Sequence, residues 1–220
     1  MQPKAQSRPR PPISKATRAD LPDLARTLAR AYHRDPVWSF LLRDEARRQR
    51  ALTRYFTIEL GDVALPYDTV WTAEGALGAI VCLPPGKWRL PAATMVRRAP
   101  AFVRAFGSDL PRALRALTLL ERVHPRVAHY FIAYAGVLPE WQGEGVGSAL
   151  VSCLLERCDT ERAPGYLEAT SERAAAFYSR HGFVVTDEVR LKNGPPLWLM
   201  WRDARSGDMA PGAPALSPWR

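Results

Sequence analysis

The stretch VLPEWQGEGVGSALV, residues 137–151, decides how the rest of this chain is read. It joins an apolar run to an amphipathic one through Gly143, Gly145 and Gly147. Glycine serves where φ must be positive, or where another backbone or a ligand has to come close. Upstream, Ala128 to Val137 is continuously apolar and rich in Tyr, Phe, Ile and Val, which predicts a central strand buried on both faces. Downstream, Gly147, Leu150, Val151, Leu154, Leu155 and Cys158 fall at i, i+3, i+4, i+7, i+8 and i+11, one apolar stripe on a helix. A strand that enters a helix through glycines leaves the first N–H groups of that helix unpaired, at the positive end of its dipole. Phosphate oxygens reach those donors only where side chains stay clear, so the spacing predicts an anion site. The plain alternative is a tight turn, with Gly147 packing the helix on the strand.

The flanking pattern places this unit in a mixed α/β sheet. ISKAT (13–17) predicts a short strand, and Asp20 with Asp23 opens a helix whose inner face carries Leu21, Leu24, Ala25 and Leu28 and which ends before Pro36. Asp44 to Leu60 reads as a second helix. Thr69–Ala73 and Ala76–Leu83 flank Glu74-Gly75 as a hairpin, closed by Pro84-Pro85-Gly86. Two arginine-rich helical patterns follow, about Ala92 to Phe106 and Leu110 to Arg122, separated by Gly107-Ser108-Asp109. They form a mid-chain insert. After the glycine unit come a strand at Tyr166–Thr170 and a helix begun by Ser171-Glu172 and running through Phe177 and Tyr178 to His181. Gly182 stands where a left-handed cap is needed, and strands at Phe183–Leu191 and Leu197–Arg202 complete the pattern.

Length and composition set the bounds. The chain has 220 residues, which suits one core, expected over 13–203, with flexible Pro-rich tails at 1–12 and 204–220. No apolar stretch follows Lys4, Arg8 and Arg10, which argues against a secretory signal, and the longest apolar run is too short to span a bilayer. A cytoplasmic protein with no membrane partner is expected. Three cysteines, an odd number, point to reduced structural thiols. The formal charge of +9 comes almost wholly from arginines spread among acids along helices. That is the pattern of solvated faces, with no nucleic-acid partner expected, although an arginine-rich insert that binds duplex DNA is the competing reading. A net positive field favours an anionic ligand.

The glycine spacing excludes two familiar phosphate loops. G-E-G-V-G-S lacks the third glycine of the dinucleotide fingerprint in its place, and too little chain follows Glu168 for a doubly wound sheet. The nucleoside-triphosphate loop fails for want of its Lys-Ser/Thr ending. Gln142-Gly143-Glu144-Gly145-Val146-Gly147 instead resembles the Q/R-x-x-G-x-G/A acyl-CoA loop of the GNAT acetyltransferase superfamily. ERAAAFYSRHGF (172–183) is similar to that family's helix ending in F-Y-x-x-x-G-F, and ATRADLPDLARTLARAYHRDP (16–36) to its first strand and helix. GVLPEWQGEGVGSALV, YLEATSERAAAFYSRHGFVVTDEV and GPPLWLMWR resemble the puromycin N-acetyltransferase-like branch. The similarity covers about residues 13–203, strong after Tyr130 and thin from Arg43 to His129.

The resemblance implies an α/β GNAT fold, a mixed sheet of about six to seven strands flanked by helices. It implies an N-acetyltransferase that moves the acetyl group of acetyl-CoA to the amine of a small molecule, a xenobiotic or antibiotic among the options, by direct attack in a ternary complex. Gln142, Gly143, Glu144, Gly145, Val146, Gly147 and Ser148 then cradle the CoA diphosphate, with Arg173 nearby. Backbone N–H groups around a bulge at Val137 and Leu138 bind pantetheine and polarise the acetyl carbonyl. Tyr178 matches the family's general acid for the departing thiolate, with Phe177 in a packing role. Glu168 is the expected base, the plain alternative being an edge carboxylate paired to arginine. Tyr32, His33 and Trp38, with Asp35, are candidates for the acceptor pocket, and each can equally cap or pack a helix end. One departure is Ala174, where many relatives carry an asparagine that contacts the cofactor. It motivates the alternative of a non-catalytic acyl-CoA-binding sensor. The four histidines show no metal-ligand spacing, so no metal site is expected. The oligomeric state is left open.

Overall fold

A computed structural model describes residues 11–205. The expected flexible tails at 1–12 and 204–220 lie almost wholly outside the described residues. Seven strands form one sheet in the order β1-β2-β3-β4-β5-β7-β6, with β1 Ile13–Lys15, β2 Val70–Ala73, β3 Gly78–Leu83, β4 Tyr130–Val137, β5 Gly165–Ala169, β6 Val184–Arg190 and β7 Pro196–Arg202. Only β4 and β5 run parallel; the other neighbours are antiparallel. The helices are α1 Leu21–Tyr32, α2 Pro36–Leu41, α3 Glu45–Glu59, α4 Ala92–Phe106, α5 Leu110–Val123, α6 Val146–Thr160 and α7 Glu172–Ser179. The mixed α/β sheet expected from the pattern is present, at the upper end of its strand count.

The sheet separates two apolar clusters. On one face α1 to α5 pack over Val70, Ala79, Val81 and Leu83, with Leu24, Leu28, Leu52, Phe56 and Leu60 fully buried. On the other α6 and α7 cover Ile80, Cys82, Ile132, Leu167 and Met200 through Leu150, Leu154 and Tyr178. The apolar stripe on α6 buries Leu150, Val151, Leu154 and Cys158. All three cysteines are free, and burial pushes the Cys158 thiol up to about 12. Among the described residues no helix is long and apolar enough to cross a membrane.

Helix α1 ends before Pro36, as expected. Pro36 then opens α2, a helix the sequence pattern did not show: the Asp35 carboxylate caps it, accepting from the Val37 and Trp38 amides. Two sequence expectations are corrected. The second hairpin strand starts at Gly78 rather than Ala76, because Glu74–Ala76 forms a tight 3-10 turn with Gly75 at φ 71°. The other concerns β4, which is not buried on both faces. Phe131, Ala133, Tyr134, Ala135 and Val137 are only partly buried. The reason is a change of neighbour: β5 pairs with β4 only at Tyr130, Phe131 and Ile132.

Helix α1 lies so close to β4 that a Cβ on Gly136 would stand 2.8 Å from the Ala31 Cβ and 3.0 Å from the Leu28 Cδ2. Glycine is needed here for approach, not for conformation. Gly136→Ala is expected to force the helix off the strand and to cost about 1–3 kcal/mol, read by urea unfolding. A variant as stable as the parent would contradict this packing.

Candidate active site

The departure of β4 from β5 has a local cause. Against β3, Val81 faces Tyr134 and Cys82 faces Ile132, so Ala133 is an extra residue without a partner. Such a bulge bends its strand and ends regular pairing. Beyond it β4 and β5 diverge, and the wedge between them opens into a cleft of about 1860 Å³. The bulge is therefore at Ala133, not around Val137 and Leu138 as expected. The Leu138 N–H also points the wrong way, since it donates to the carbonyl of Leu77, just before β3, at 2.9 Å. Alternation along the strand turns Val137 to the cleft side, where its carbonyl accepts from Gln142 Nε2 at 3.1 Å.

At one end of the cleft stands the glycine loop. Gly143 and Gly145 adopt φ of 89° and 81°, in the left-handed region that excludes most side chains. Gly145 is the N-cap of α6, and no side chain caps that helix. A Cβ at Gly143 would meet nothing within 4 Å, so the loop is open on that side. Gly147 is different: its Cβ position lies 3.5 Å from Phe177, where it packs α6 against α7. Turn and open cradle thus coexist, and uncapped amides at a helix N-terminus fit a diphosphate. The surroundings tie this loop to α7. Arg173 donates to Gln142 Oε1 at 3.1 Å, and His181 Nε2 lies 3.2 Å from Ser148 Oγ. Val146 is buried, and Glu144 sits in the loop between the two left-handed glycines. Ser171 caps α7 by accepting from the Ala174 amide at 3.2 Å.

Tyr178 lines the cleft from the α6–α7 face, with 8% of its surface exposed. Burial, with the Tyr32 phenol and Cys82 thiol nearby, holds its hydroxyl well above the ordinary tyrosine value, so it stays protonated. Glu168 lines the same cleft from the opposite face of β5, its side chain 10% exposed. Among the described residues no arginine pairs with it. Tyr166 donates its hydroxyl to Glu168 Oε1 at 3.1 Å, and His124 Nδ1 stands 3.7 Å from the same oxygen. His124 follows α5 directly and stacks on Trp88 at 3.8 Å between ring centres. Neither His124 nor Tyr166 was singled out from sequence, because they meet Glu168 only through tertiary packing.

The acceptor candidates take more structural places than expected. Tyr32 and Trp38 line the cleft, but Trp38 is built into an aromatic cluster with Tyr55, Phe56 and Phe106. The Tyr32 hydroxyl donates to the Ala135 carbonyl at 3.0 Å and accepts from the Ala135 amide at 3.1 Å. It replaces the strand neighbour that β4 has lost there. His33 lies 3.7 Å from Glu45 through Nε2, and its carbonyl accepts from Arg48. Asp35 is a helix cap that also accepts from the Thr170 hydroxyl, not an acid free for a ligand.

With this geometry in place, comparison with known proteins gives a consistent result. Residues 115–185 match the sequence model of the acetyltransferase (GNAT) domain. A structure from Corynebacterium glutamicum, described as histone acetyltransferase HPA2 and related acetyltransferase, is similar at 24% identity over 91% of this chain and 99% of its own, with a TM-score of 0.70. A polyamine N-acetyltransferase of Drosophila melanogaster is similar at 15% identity over 87% and 98% of the two chains, TM-score 0.56. An agmatine N-acetyltransferase gives 16% identity, 87% and 98% coverage, and the same TM-score of 0.56. The fold is the GNAT fold, and residues 115–185 within it carry the match to the acetyltransferase (GNAT) domain. Enzymes of this domain family move an acetyl group from acetyl-CoA to an amine.

Tyr32→Phe removes the hydroxyl bonded to both polar groups of Ala135. The buried amide and carbonyl are then left unpaired, at an expected cost of about 1–3 kcal/mol, measured as a lower chemical-unfolding midpoint. An unchanged midpoint would show that β4 does not depend on this contact.

Proposed function

We propose that this protein transfers the acetyl group of acetyl-CoA to the amine of a small molecule, by direct attack within a ternary complex. The observation that carries the reading is that the uncapped end of α6, the Tyr178 hydroxyl and the Glu168 carboxylate all line one cleft, the one opened by the β4–β5 wedge. Amides bared by Gly143, Gly145 and Gly147 receive the diphosphate, with Gln142, Glu144, Val146 and Ser148 in the surrounding turn and Arg173 steadying Gln142. The Val137 N–H, on the cleft side of β4, takes the thioester end. Acetyl-CoA supplies the activated acyl group.

The proton steps divide between the two faces of β5. Glu168 takes the proton of the acceptor ammonium, leaving a neutral amine to attack the thioester carbonyl. Tyr178 gives its proton to the departing thiolate, a transfer suited to a phenol that stays protonated at working pH. The acceptor half of the cleft is walled by α4 and α5 and lined by Ala99, Phe102, Leu114, Leu117, Trp88 and Phe131. An apolar or aromatic body on the amine matches those walls, and Tyr32, His33 and Trp38 close the cleft at the ends of α1 and α2. The similarity to the puromycin-like branch supports a xenobiotic or antibiotic acceptor. Three unbridged thiols support a cytoplasmic setting.

A second reading has one observation behind it: Ala174, in place of the relatives' asparagine, favours a non-catalytic acyl-CoA sensor. Thiol release from acetyl-CoA across a panel of aromatic primary amines separates the two. Turnover supports the enzyme, and CoA binding without thiol release on any amine supports the sensor. Within an active enzyme Tyr178→Phe is expected to lower kcat by about 10²–10⁴-fold. A variant as fast as the parent at every pH would remove the acid role. Gly145→Val forces a β-branched residue into φ 81° at the cap of α6, and calorimetry is expected to show loss of CoA binding while circular dichroism keeps its helical signal. Unchanged CoA affinity would overturn the cradle.

A further inference from the structure

Two buried histidines stand behind Glu168, and their hydrogen bonds determine which nitrogen carries a proton. His129 Nδ1 lies 2.7 Å from the Val127 carbonyl, which can only accept, so this nitrogen bears the hydrogen. Burial pushes His129 down to about 4, with its bond to Val127 opposing and His124 adding to the fall, so the ring is neutral and its Nε2 is a bare acceptor. His124 Nε2 is 3.1 Å from that acceptor and must donate to it. The His124 ring is thereby left with an unprotonated Nδ1 facing Glu168 Oε1 at 3.7 Å. Two lone pairs face each other, and one shared proton turns that repulsion into attraction. The remaining neighbours of His124 agree. Tyr166 from β5 donates to the same carboxylate oxygen, and the Phe131 ring of β4 meets the imidazole edge on. Trp88, from the segment after β3, stacks on the ring, and the Arg89 guanidinium caps the indole at 4.7 Å. Glu121 lies one turn earlier on the helix that ends at His124.

We propose that His124 is the positioning residue of the proposed base: it orients Glu168 toward the acceptor amine and shares the proton that Glu168 removes. This rests on the acetyl-transfer reading given above. In the step, the N–H bond of the acceptor ammonium breaks as an O–H bond forms on the Glu168 carboxyl. That O–H then breaks as an N–H forms on His124 Nδ1, which regenerates the carboxylate beside an imidazolium. No electrons change hands, and when product leaves the imidazolium hands that proton back through Glu168 to solvent, since the amide nitrogen of the product does not take it. His129 sets the tautomer, and α5, a wall of the acceptor cleft, carries His124 at its end. Seating of the acceptor and readiness of the base are thus coupled through one helix.

The test has two arms. In the first, kcat/KM for an aromatic primary amine is measured against pH. Where the two groups share a proton, His124→Asn is expected to move the acid-limb midpoint and to lower kcat about tenfold, with KM for acetyl-CoA within about twofold. His129→Phe, which frees the tautomer without touching Glu168, is expected to move the same limb in the same direction. A uniform loss of rate with the midpoint in place would mark a merely structural role and overturn the proposal. The second arm needs no turnover: ¹⁵N-histidine NMR of the full chain follows the His124 ring through a pH titration. Glu168→Gln is expected to move its midpoint, because the carboxylate faces Nδ1, and the neutral ring is expected to carry its proton on Nε2. An unmoved midpoint, or a proton on Nδ1, overturns the pairing. Coupling seen by NMR with no thiol release on any amine would instead refute the acetyl-transfer reading.

Discussion

The extra residue in β4, Ala133, is the constraint on which the rest of the structure depends. A sheet in which β4 and β5 stayed paired to their ends would be closed, and its two faces would have no passage between them. The bulge turns β4 away after Ile132 and strips it of a hydrogen-bonded neighbour along half its length. Backbone polar groups exposed in that way have to be satisfied inside the protein. The Tyr32 hydroxyl takes both groups of Ala135, and the Gln142 amide takes the Val137 carbonyl. Both substitutes come from elements that flank the cleft, so keeping the wedge open and shaping its walls are one structural task.

The wedge joins two chemically different faces. Period-two alternation on β5 sends Leu167 and Ala169 toward α6 and α7, and Tyr166 and Glu168 toward α5. Tyr178 therefore approaches the cleft from the side of the glycine loop, and Glu168 from the side of the insert. A donor and an acceptor of protons so separated need a reacting group that passes through the sheet. A pantetheine thioester laid along the β4 edge, with an amine from the other side, has that shape.

The wall formed by α4 and α5 is held by specific polar contacts. Arg98 of α4 forms a buried ion pair with Glu59 of α3, and Arg112 of α5 reaches the Phe40 and Leu41 carbonyls at 3.2 Å each. Meanwhile Met95, Val103, Leu114 and Leu117 line the cleft yet remain exposed. Glu168, the proposed base, stands apart from those rims, with Tyr166 on its own strand and the two histidines behind it.

Much of this was legible in the chain. The glycine loop, the stripe on α6, the limits of α4 and the left-handed Gly182, at φ 86°, follow from local rules, since turn conformation and side-chain period act within a few residues. The placement of Tyr178 and Glu168 on one cleft accords with the family resemblance. What failed was whatever depended on partners distant in sequence. A run of apolar residues in β4 carries no mark of the bulge at Ala133, because the bulge exists only against β3. For Asp35 and Trp38 the chain left pocket and helix-end roles equally open, and α2, too short to show a period, gave them places as cap and aromatic packing. Leu138 looked like a ligand amide until Leu77 took its hydrogen. The meeting of His124 with Glu168 belongs to tertiary structure alone: α5 and β5 are far apart along the chain, and only folding brings an imidazole to a carboxylate in a place with little water. Sequence by itself determined where the backbone can turn and which faces are apolar, since those demands are local. Tertiary structure decided which groups meet, because hydrogen bonding and burial are settled between segments rather than within them.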